Sequence, residues 1–185
     1  LVINQAERFG ILHQTSDVIV FTKRSYAQAL RDGFRGVGGD PEQTHRRFAA
    51  RLDAYYENPN REQLKLITHH LLQSNQYAEA IRRLRDAGQR AFRMLDFDAA
   101  REYFLRIQQI IDQIEPQTPL DLDGDGVVDP IEVERPRLWL RLAEIHGALH
   151  EYGAAEDAIG RALKELPEGD SALFARAYKL LGDLN

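Results

Sequence analysis

A seven-position pattern that occurs twice in the chain constrains the fold more than any other sequence feature. The spacings between its members are the same in both copies, so that one constant displacement relates every pair of equivalent positions. The first copy is Leu84, Gly88, Ala91, Phe97, Ala100, Phe104 and Ile107. The second copy is Trp139, Ala143, His146, Tyr152, Ala155, Ile159 and Ala162. Seven matching positions indicate an internal repeat, in which two copies of one supersecondary unit stack on each other.

Apolar residues recur at helical spacing through most of the chain after residue 60. The spacing predicts helices over residues 61–74, 78–94, 98–114, 136–150, 154–166 and 171–184. Because several of the connections are short, we expect neighbouring helices to pack antiparallel as hairpins. The predicted fold class is therefore mainly α, with helix hairpins repeated over residues 61–185 and an insertion at residues 115–135.

Residues 1–58 have a different pattern. Two short β-prone runs, at residues 11–13 and 18–21, flank the turn-prone sequence Gln-Thr-Ser-Asp and predict a β-hairpin. Helical spacing then covers residues 24–34 and 41–56, with a glycine-rich break between them. We expect this segment to form a small unit of one hairpin and a few helices.

The repeated pattern resembles the tetratricopeptide repeat. A large residue is followed one turn later by a small one, an aromatic residue precedes the second helix, and Ala lies where the helices cross. The resemblance is strongest over residues 136–169, where Pro167 occupies the terminal proline position, and weaker over 81–114, where Leu84 replaces Trp. It implies a groove for a protein or peptide. By analogy, the groove positions of the 81–114 unit are Arg82, Arg85, Gln89, Phe92 and Arg93. The alternative is a solvated, Arg-rich helix face, because exposed charge is common on helices.

A wider resemblance covers residues 20–110. The runs that carry it are FTKRSY at 21–26, HRRFA at 45–49, ITHHL at 67–71 and AGQRA at 87–91, together with Ala80. They resemble bacterial STAND-type signal-transduction ATPases fused to cyclase or kinase domains, although Lys23 stands where those proteins usually have His. The resemblance implies a winged-helix-like remnant in residues 1–58, tetratricopeptide-like sensor repeats and a cytoplasmic location. With Leu1 at the start and Met94 as the only Met, we expect a segment of a longer protein whose nucleotide-binding part lies upstream.

The net charge of −5 arises entirely within one short segment. Residues 121–132, DLDGDGVVDPIE, contain five acidic and no basic residues, whereas the rest of the chain contains 24 of each. Carboxylates held about 4 Å apart repel by about 1 kcal/mol per pair even in water. The segment therefore requires a cation or disorder.

The acidic segment resembles the calcium loop of EF-hand proteins. Alternating carboxylates, a glycine at the sixth position for the sharp turn, and an acidic residue at the twelfth match its spacing, and hard oxygen ligands favour Ca²⁺. The predicted ligands are Asp121, Asp123, Asp125, the backbone carbonyl of Val127, Asp129 and Glu132. The alternative is a solvated linker, because Asp and Gly dominate turns.

Other kinds of site have weak support in the sequence. With no Cys, the chain has no disulfide, thiolate zinc site or thiol nucleophile. His69 and His70 point to different helix faces, and His146 and His150, one turn apart, lack a metalloprotease pattern. A catalytic metal site at the second pair remains an alternative, and it predicts tight Zn²⁺ binding. No nucleophile motif is present, and we expect no enzyme activity.

Charge and hydropathy argue against nucleic acid and membrane partners. Residues 1–60 contain eight basic and seven acidic residues, which provides no positive footprint for phosphates. The mean hydropathy is −0.46. No apolar run approaches the length of about 20 residues that a helix needs to cross a bilayer, so we expect no membrane span.

The sequence thus predicts a non-catalytic sensor and protein-interaction module of a larger signal-transduction ATPase. One Ca²⁺ lies at the junction between its repeats. The alternative is a scaffold that holds Ca²⁺ permanently and binds a peptide without sensing calcium.

Overall fold

The computed structural model describes residues 12–14, 19–21, 40–114, 118, 120–122, 131–166 and 169–184. The two strand segments and residues 132 and 133 are described by their backbone alone. Strands β1 (Leu12–Gln14) and β2 (Ile19–Phe21) pair antiparallel, with His13 opposite Val20. They agree with the predicted hairpin. The helix expected over 24–34, and with it most of the winged-helix-like segment, lies outside the described residues.

The described part of the chain contains seven helices. They are α1 (Pro41–Tyr55), α2 (Arg61–Gln73), α3 (Tyr77–Arg93), α4 (Phe97–Gln113), α5 (Ile131–Ala148), α6 (Tyr152–Glu165) and α7 (Ser171–Leu184). The closest packing joins α3 to α4 and α5 to α6, the two pairs that carry the repeated pattern. The prediction of a mainly α fold of repeated helix hairpins is confirmed.

One helix start differs from the prediction. Helix α5 begins at Ile131, well before the predicted start, and Pro136 lies inside it. A proline inside a helix costs about 3 kcal/mol, because it removes a hydrogen bond and crowds the preceding turn. Burial of Ile131 and of Pro136 itself offsets this cost, as do the ion pairs that Glu134 makes.

Local sequence explains several of the other helix starts. At α2, the Asn60 side chain accepts a hydrogen bond from the Gln63 backbone, and the Gln63 side chain accepts one from the Asn60 backbone. This reciprocal pair is a capping box. The side chains of Asp96 and Asp170 cap α4 and α7. Each accepts a hydrogen bond from the backbone N–H of the residue three positions later.

The buried apolar side chains form two clusters. The larger cluster contains residues of α1, α2, α3, α4 and α5, and the smaller cluster contains residues of α5, α6 and α7. Helix α5 contributes Leu142 and Ile145 to the first cluster and Leu140 and Ala143 to the second. It is therefore the helix through which the two halves of the stack are connected.

Candidate functional site

A groove lies where α3, α5 and α7 present neighbouring faces above α4. Its cavity has a volume of about 220 Å³. The lining residues are Arg85 and Gln89 of α3, Phe104, Ile107 and Ile111 of α4, Glu134, Arg137, Leu138 and Arg141 of α5, and Leu173 and Arg176 of α7. The apolar members form the floor, since Phe104, Ile107 and Ile111 also belong to the larger core cluster. Four arginines from three helices stand around this floor.

Glu134 holds two of these arginines. Its Oε2 accepts from Arg85 Nη2 at 2.7 Å, and its Oε1 accepts from Arg137 Nη1 at 2.8 Å. The Glu134 side chain is only 8% exposed. A buried carboxylate needs such partners, because leaving it unpaired would cost several kcal/mol. Glu134 thereby fixes a guanidinium of α3 beside a guanidinium of α5.

Glu144 holds the other two. Its Oε2 accepts from Arg141 Nη1 at 2.6 Å, and its Oε1 accepts from Arg176 Nη2 at 2.6 Å. Arg176 also donates a hydrogen bond from Nε to Glu144 Oε1 at 3.0 Å, so two nitrogens of its guanidinium group contact the same carboxylate oxygen. Arg141 also lies over the ring of Phe92, with its guanidinium carbon 5.3 Å from the ring centroid.

The groove is therefore electropositive and preorganised. Among the described side chains, the four arginines and the two glutamates that hold them leave a formal surplus of two positive charges, and Arg85 has a further interaction beside its pair with Glu134. An arginine bound to a carboxylate through one or two nitrogens keeps further N–H donors for other acceptors. These donors suit carboxylates, which guanidinium groups bind through paired hydrogen bonds. The arrangement can bind an acidic segment without first ordering flexible side chains.

The structure brings together some of the predicted groove residues and separates others. Arg85 and Gln89 line the groove, and Phe92 supports Arg141 beside it. Arg82 pairs with Glu79 and lines a different cavity, of about 240 Å³. Arg93 is exposed in the last turn of α3.

Sequence reasoning missed the three arginines that α5 and α7 contribute. A signal for one of them was present, because Arg137 and Glu144 of the second copy stand at the positions equivalent to Arg82 and Gln89 of the first. If the groove positions of the first repeat are transferred to the second, Arg137 and Glu144 are both found. Arg176 needs the packing of α7 against α5, which no local pattern specifies.

The structure describes the ends of the proposed calcium loop. Leu120 and Leu122 on one side and Ile131 on the other are buried in the larger core cluster. Asp121 lies between the two leucines, and the backbone places Glu132 in the first turn of α5. Four of the predicted ligands, Asp123, Asp125, Val127 and Asp129, lie outside the described residues. The donor set is all oxygen, which fits Ca²⁺, and the core fixes both ends of the segment.

The histidines of the second repeat have separate partners. His146 Nδ1 lies 2.6 Å from Glu151 Oε2, and Arg101 Nη1 donates to the other oxygen of the same carboxylate at 2.6 Å. The hydrogen bond from His146, followed by the one from Arg101, lowers the pKa of Glu151. His150 Nδ1 lies 2.9 Å from the Tyr152 hydroxyl. Across the described ranges, no three acidic or histidine side chains are arranged to hold a metal ion.

A larger cleft of about 660 Å³ lies between α2 and α4. Its rim mixes charges, with Arg61 and Lys65 of α2 facing Glu102 of α4 and pairing with it. Leu64 and Leu84 lie at its floor. Its lining contains four basic residues, Arg61, Lys65, Arg101 and Arg106, and two acidic ones, Asp98 and Glu102, so this cleft also has a formal surplus of two positive charges. The Glu102 side chain is 36% exposed, against 8% for Glu134 in the groove, so its ion pairs hold the basic side chains less firmly.

Comparisons with protein-family models, with curated proteins and with solved structures gave no match. No helix within the described ranges combines the length and apolar composition that a bilayer crossing requires. The function is therefore inferred from the side chains of the groove and from the spacing of the loop.

Proposed function

We propose that the chain is a non-catalytic regulatory module that binds an acidic segment of a protein in the groove between α3, α5 and α7. The observation that carries the proposal is the set of four arginines, from three helices, that two carboxylates hold around one apolar floor. The partner is a separate protein or another domain of a larger signal-transduction ATPase. One Ca²⁺ binds in the loop at residues 121–132, at the junction between the repeats.

The apolar floor and the charged walls favour a mixed partner. Carboxylates of the segment accept hydrogen bonds from the arginines, while one or two apolar side chains cover the floor. Charged rims raise the association rate and set specificity more than they add affinity. Because salt screens exposed charges with a Debye length of about 8 Å at physiological ionic strength, the affinity falls as salt increases.

Calcium acts on the groove through the first turn of α5. Glu132, the twelfth loop position, lies in that turn, and Glu134, which holds Arg85 and Arg137, lies two residues later. Binding of the ion removes the repulsion between the loop carboxylates and fixes the turn that presents Glu134. At 100 times its dissociation constant, the ion stabilises the bound arrangement by about 2.7 kcal/mol.

The second candidate is a scaffold with a permanently bound ion. The buried ends of the loop favour it, since Leu120, Leu122 and Ile131 tie the segment into the core. The affinity separates the two roles. A dissociation constant tighter than about 10⁻⁷ M indicates a permanently bound, structural ion, and one between about 10⁻⁷ and 10⁻⁵ M indicates a sensor.

The peptide proposal is tested by fluorescence anisotropy with a labelled peptide that carries several glutamates and one leucine. Arg176→Ala removes a groove arginine and leaves Glu144 paired with Arg141. We expect it to weaken binding by about 10-fold or more, because a hydrogen bond to a charged group contributes about 1.5–3 kcal/mol. The matched control is Arg106→Ala, on the α4 side of the other cleft, which leaves the affinity unchanged. Equal weakening by both variants, or no binding by the wild type, contradicts the proposal.

The calcium proposal is tested by titration calorimetry and thermal unfolding with Ca²⁺. The wild type releases or absorbs heat and unfolds at a higher temperature with the ion, and Glu132→Ala loses both effects. Glu165→Ala, an exposed acidic residue near the end of α6, is the control and keeps them. A wild type without heat or thermal shift overturns the calcium site and leaves the peptide proposal standing.

A further inference from the structure

Three histidine rings cluster where α1 meets α2. His45 belongs to α1, and His69 and His70 belong to α2. The centroid of the His45 ring lies 5.0 Å from that of His70 and 6.0 Å from that of His69, and the two α2 rings are 5.3 Å apart. The ring of Phe48 stacks on His70 at 5.4 Å. The cluster spans the interface that attaches α1 to the rest of the stack.

A hydrogen bond between two of the rings makes the interface depend on their protonation. His45 Nδ1 and His70 Nδ1 are 2.8 Å apart. In such a contact one nitrogen donates its proton and the other accepts through its lone pair, so at least one ring must be neutral. When both rings are protonated, both nitrogens carry hydrogens, and the bond is replaced by repulsion between two cations.

Several charged groups on the neighbouring elements are engaged with each other, and α4 places Asp98, Arg101, Glu102 and Arg106 around the cleft that His69 also lines. On α1, Glu42 pairs with Arg46 and also accepts a hydrogen bond from Asn75, which follows α2. On α3, which packs against α2, Arg83 pairs with Glu79 and with Asp53 of α1. On α2 itself, the ion pair one turn before the cluster joins Glu62 and Lys65. Among the described residues, each carboxylate of these pairs is held by Arg or Lys.

Burial, followed by the charges of His45 and His69, lowers the pKa of His70 to about 4. Burial, followed by the charge of His69, lowers the pKa of His45. Since the ordinary pKa is 6.5, the folded arrangement favours the neutral forms of His45 and His70. Its contribution to stability is complete above about pH 6.5 and is lost as the pH falls toward 4.

We propose that the hydrogen-bonded pair of His45 and His70, packed beside His69, forms a pH-sensitive latch that holds α1 on α2 at neutral pH and releases it in mild acid. The other attachments of α1 are few. Ala49 is its one fully buried apolar residue, Leu52 is partly buried and Asp53 pairs with Arg83, whereas Phe48 and Tyr55 are largely exposed. Loss of the ring contact therefore affects α1 before it affects α3 to α7. The latch is independent of peptide and calcium binding.

Hydrogen exchange of the α1 amides at pH 7.5 and pH 5.0, corrected for the intrinsic effect of pH, tests the latch. A shift of one ring from 6.5 to about 4 allows up to about 30-fold loss of protection at pH 5, and partial exposure of the cluster reduces the expected loss to about 10-fold. His45→Gln with His70→Gln keeps a hydrogen-bonded pair that cannot titrate, and its α1 protection is expected to be the same at both pH values.

The control is His150→Asn, which removes a histidine at the far end of the stack and keeps the wild-type response. If the double variant does not fold, as judged by circular dichroism at pH 7.5, the single His70→Gln variant replaces it, with a response reduced to less than 3-fold. Equal protection of wild-type α1 at both pH values overturns the proposal. So does a glutamine variant that responds to pH as the wild type does.

Discussion

The hairpins α3/α4 and α5/α6 carry the same seven-position pattern but fill their crossings differently. In the first hairpin, Gly88 faces Phe104, and a Cβ added to Gly88 would lie 2.8 Å from the ring. In the second hairpin, the same positions are Ala143 and Ile159, both buried. Compared with the second hairpin, the first has a smaller residue on one helix, Gly88, and a larger residue on the other, Phe104. The repeat therefore specifies a summed volume at the crossing rather than a residue at each position.

The turns of the two hairpins share a backbone conformation and differ in their side chains. Leu95 and His150, at equivalent positions, both have positive φ, of 62° and 59°. The next residue is Asp96 in one hairpin, where it caps α4, and Glu151 in the other, where it bonds His146 and Arg101. The same position therefore provides a helix cap in the first hairpin and a bridge between the two hairpins in the second.

Removal of the large residue at each crossing is expected to have the largest effect. Phe104→Ala should lower the free energy of unfolding by about 3–5 kcal/mol, and Ile159→Ala by about 2–4 kcal/mol, because the ring leaves the larger cavity. Urea unfolding of the two variants measures the difference. A greater loss for Ile159→Ala would show that the second crossing, and not the first, is the more tightly packed.

Exchange of the small residues tests the summed volume directly. Gly88→Ala overpacks the crossing and should cost about 1–2 kcal/mol, even though Ala is the better helix former by about 1 kcal/mol. Gly88→Ala with Phe104→Ile copies the second crossing into the first and should be more stable than Phe104→Ile alone. If the added Ala stabilises the wild type as much as it stabilises the Ile variant, the ring does not restrict the crossing.

The turns provide a smaller, stabilising change. Leu95→Gly should raise the free energy of unfolding by about 1 kcal/mol, because a left-handed conformation costs a non-glycine residue about 1–2 kcal/mol and Leu95 is largely exposed. His150→Gly should gain less, since it also loses the contact with Tyr152. Thermal unfolding measures both. A loss of stability in Leu95→Gly would contradict the account of the turn.

The bridge between the hairpins should have the smallest effect, and it depends on pH. The pKa of Glu151 is lowered in the fold, so its contribution is present above about pH 4.5 and is lost as the pH falls below that value. The melting temperature of Glu151→Gln should therefore approach that of the wild type in acid and lie below it at pH 6. Asp96→Asn, which retains a capping side chain, is the control. If the melting temperatures of the wild type and Glu151→Gln differ by the same amount at all pH values, the stabilisation does not come from the ionised Glu151 carboxylate.

Much of the helical fold could be predicted from local sequence. The period of apolar residues located the helices after residue 60, and the constant displacement between the two copies identified the matching hairpins. The predicted start of α5 was wrong. Burial of Pro136 and the ion pairs of Glu134 keep the helix intact across Pro136, although proline usually interrupts a helix. These contacts depend on residues that are distant in sequence.

The groove could be predicted only in part for the same reason. Arg85 and Gln89 follow from the geometry of one repeat, whereas Arg141 and Arg176 join them only when α5 and α7 stack beside α3. The calcium loop, by contrast, is a local pattern of ligands and stays a prediction from its spacing. Its buried flanks explain how such a loop would be coupled to the groove.

The most direct test of the groove is hydrogen exchange of the chain with and without a glutamate-rich peptide. Binding in the groove predicts increased protection in α3, α5 and α7, centred on the turns that contain Arg85, Arg141 and Arg176, and loss of that protection in Arg176→Ala. Protection confined to α2 and α4, around the larger cleft, or no change at peptide concentrations up to about 1 mM would contradict the proposed function.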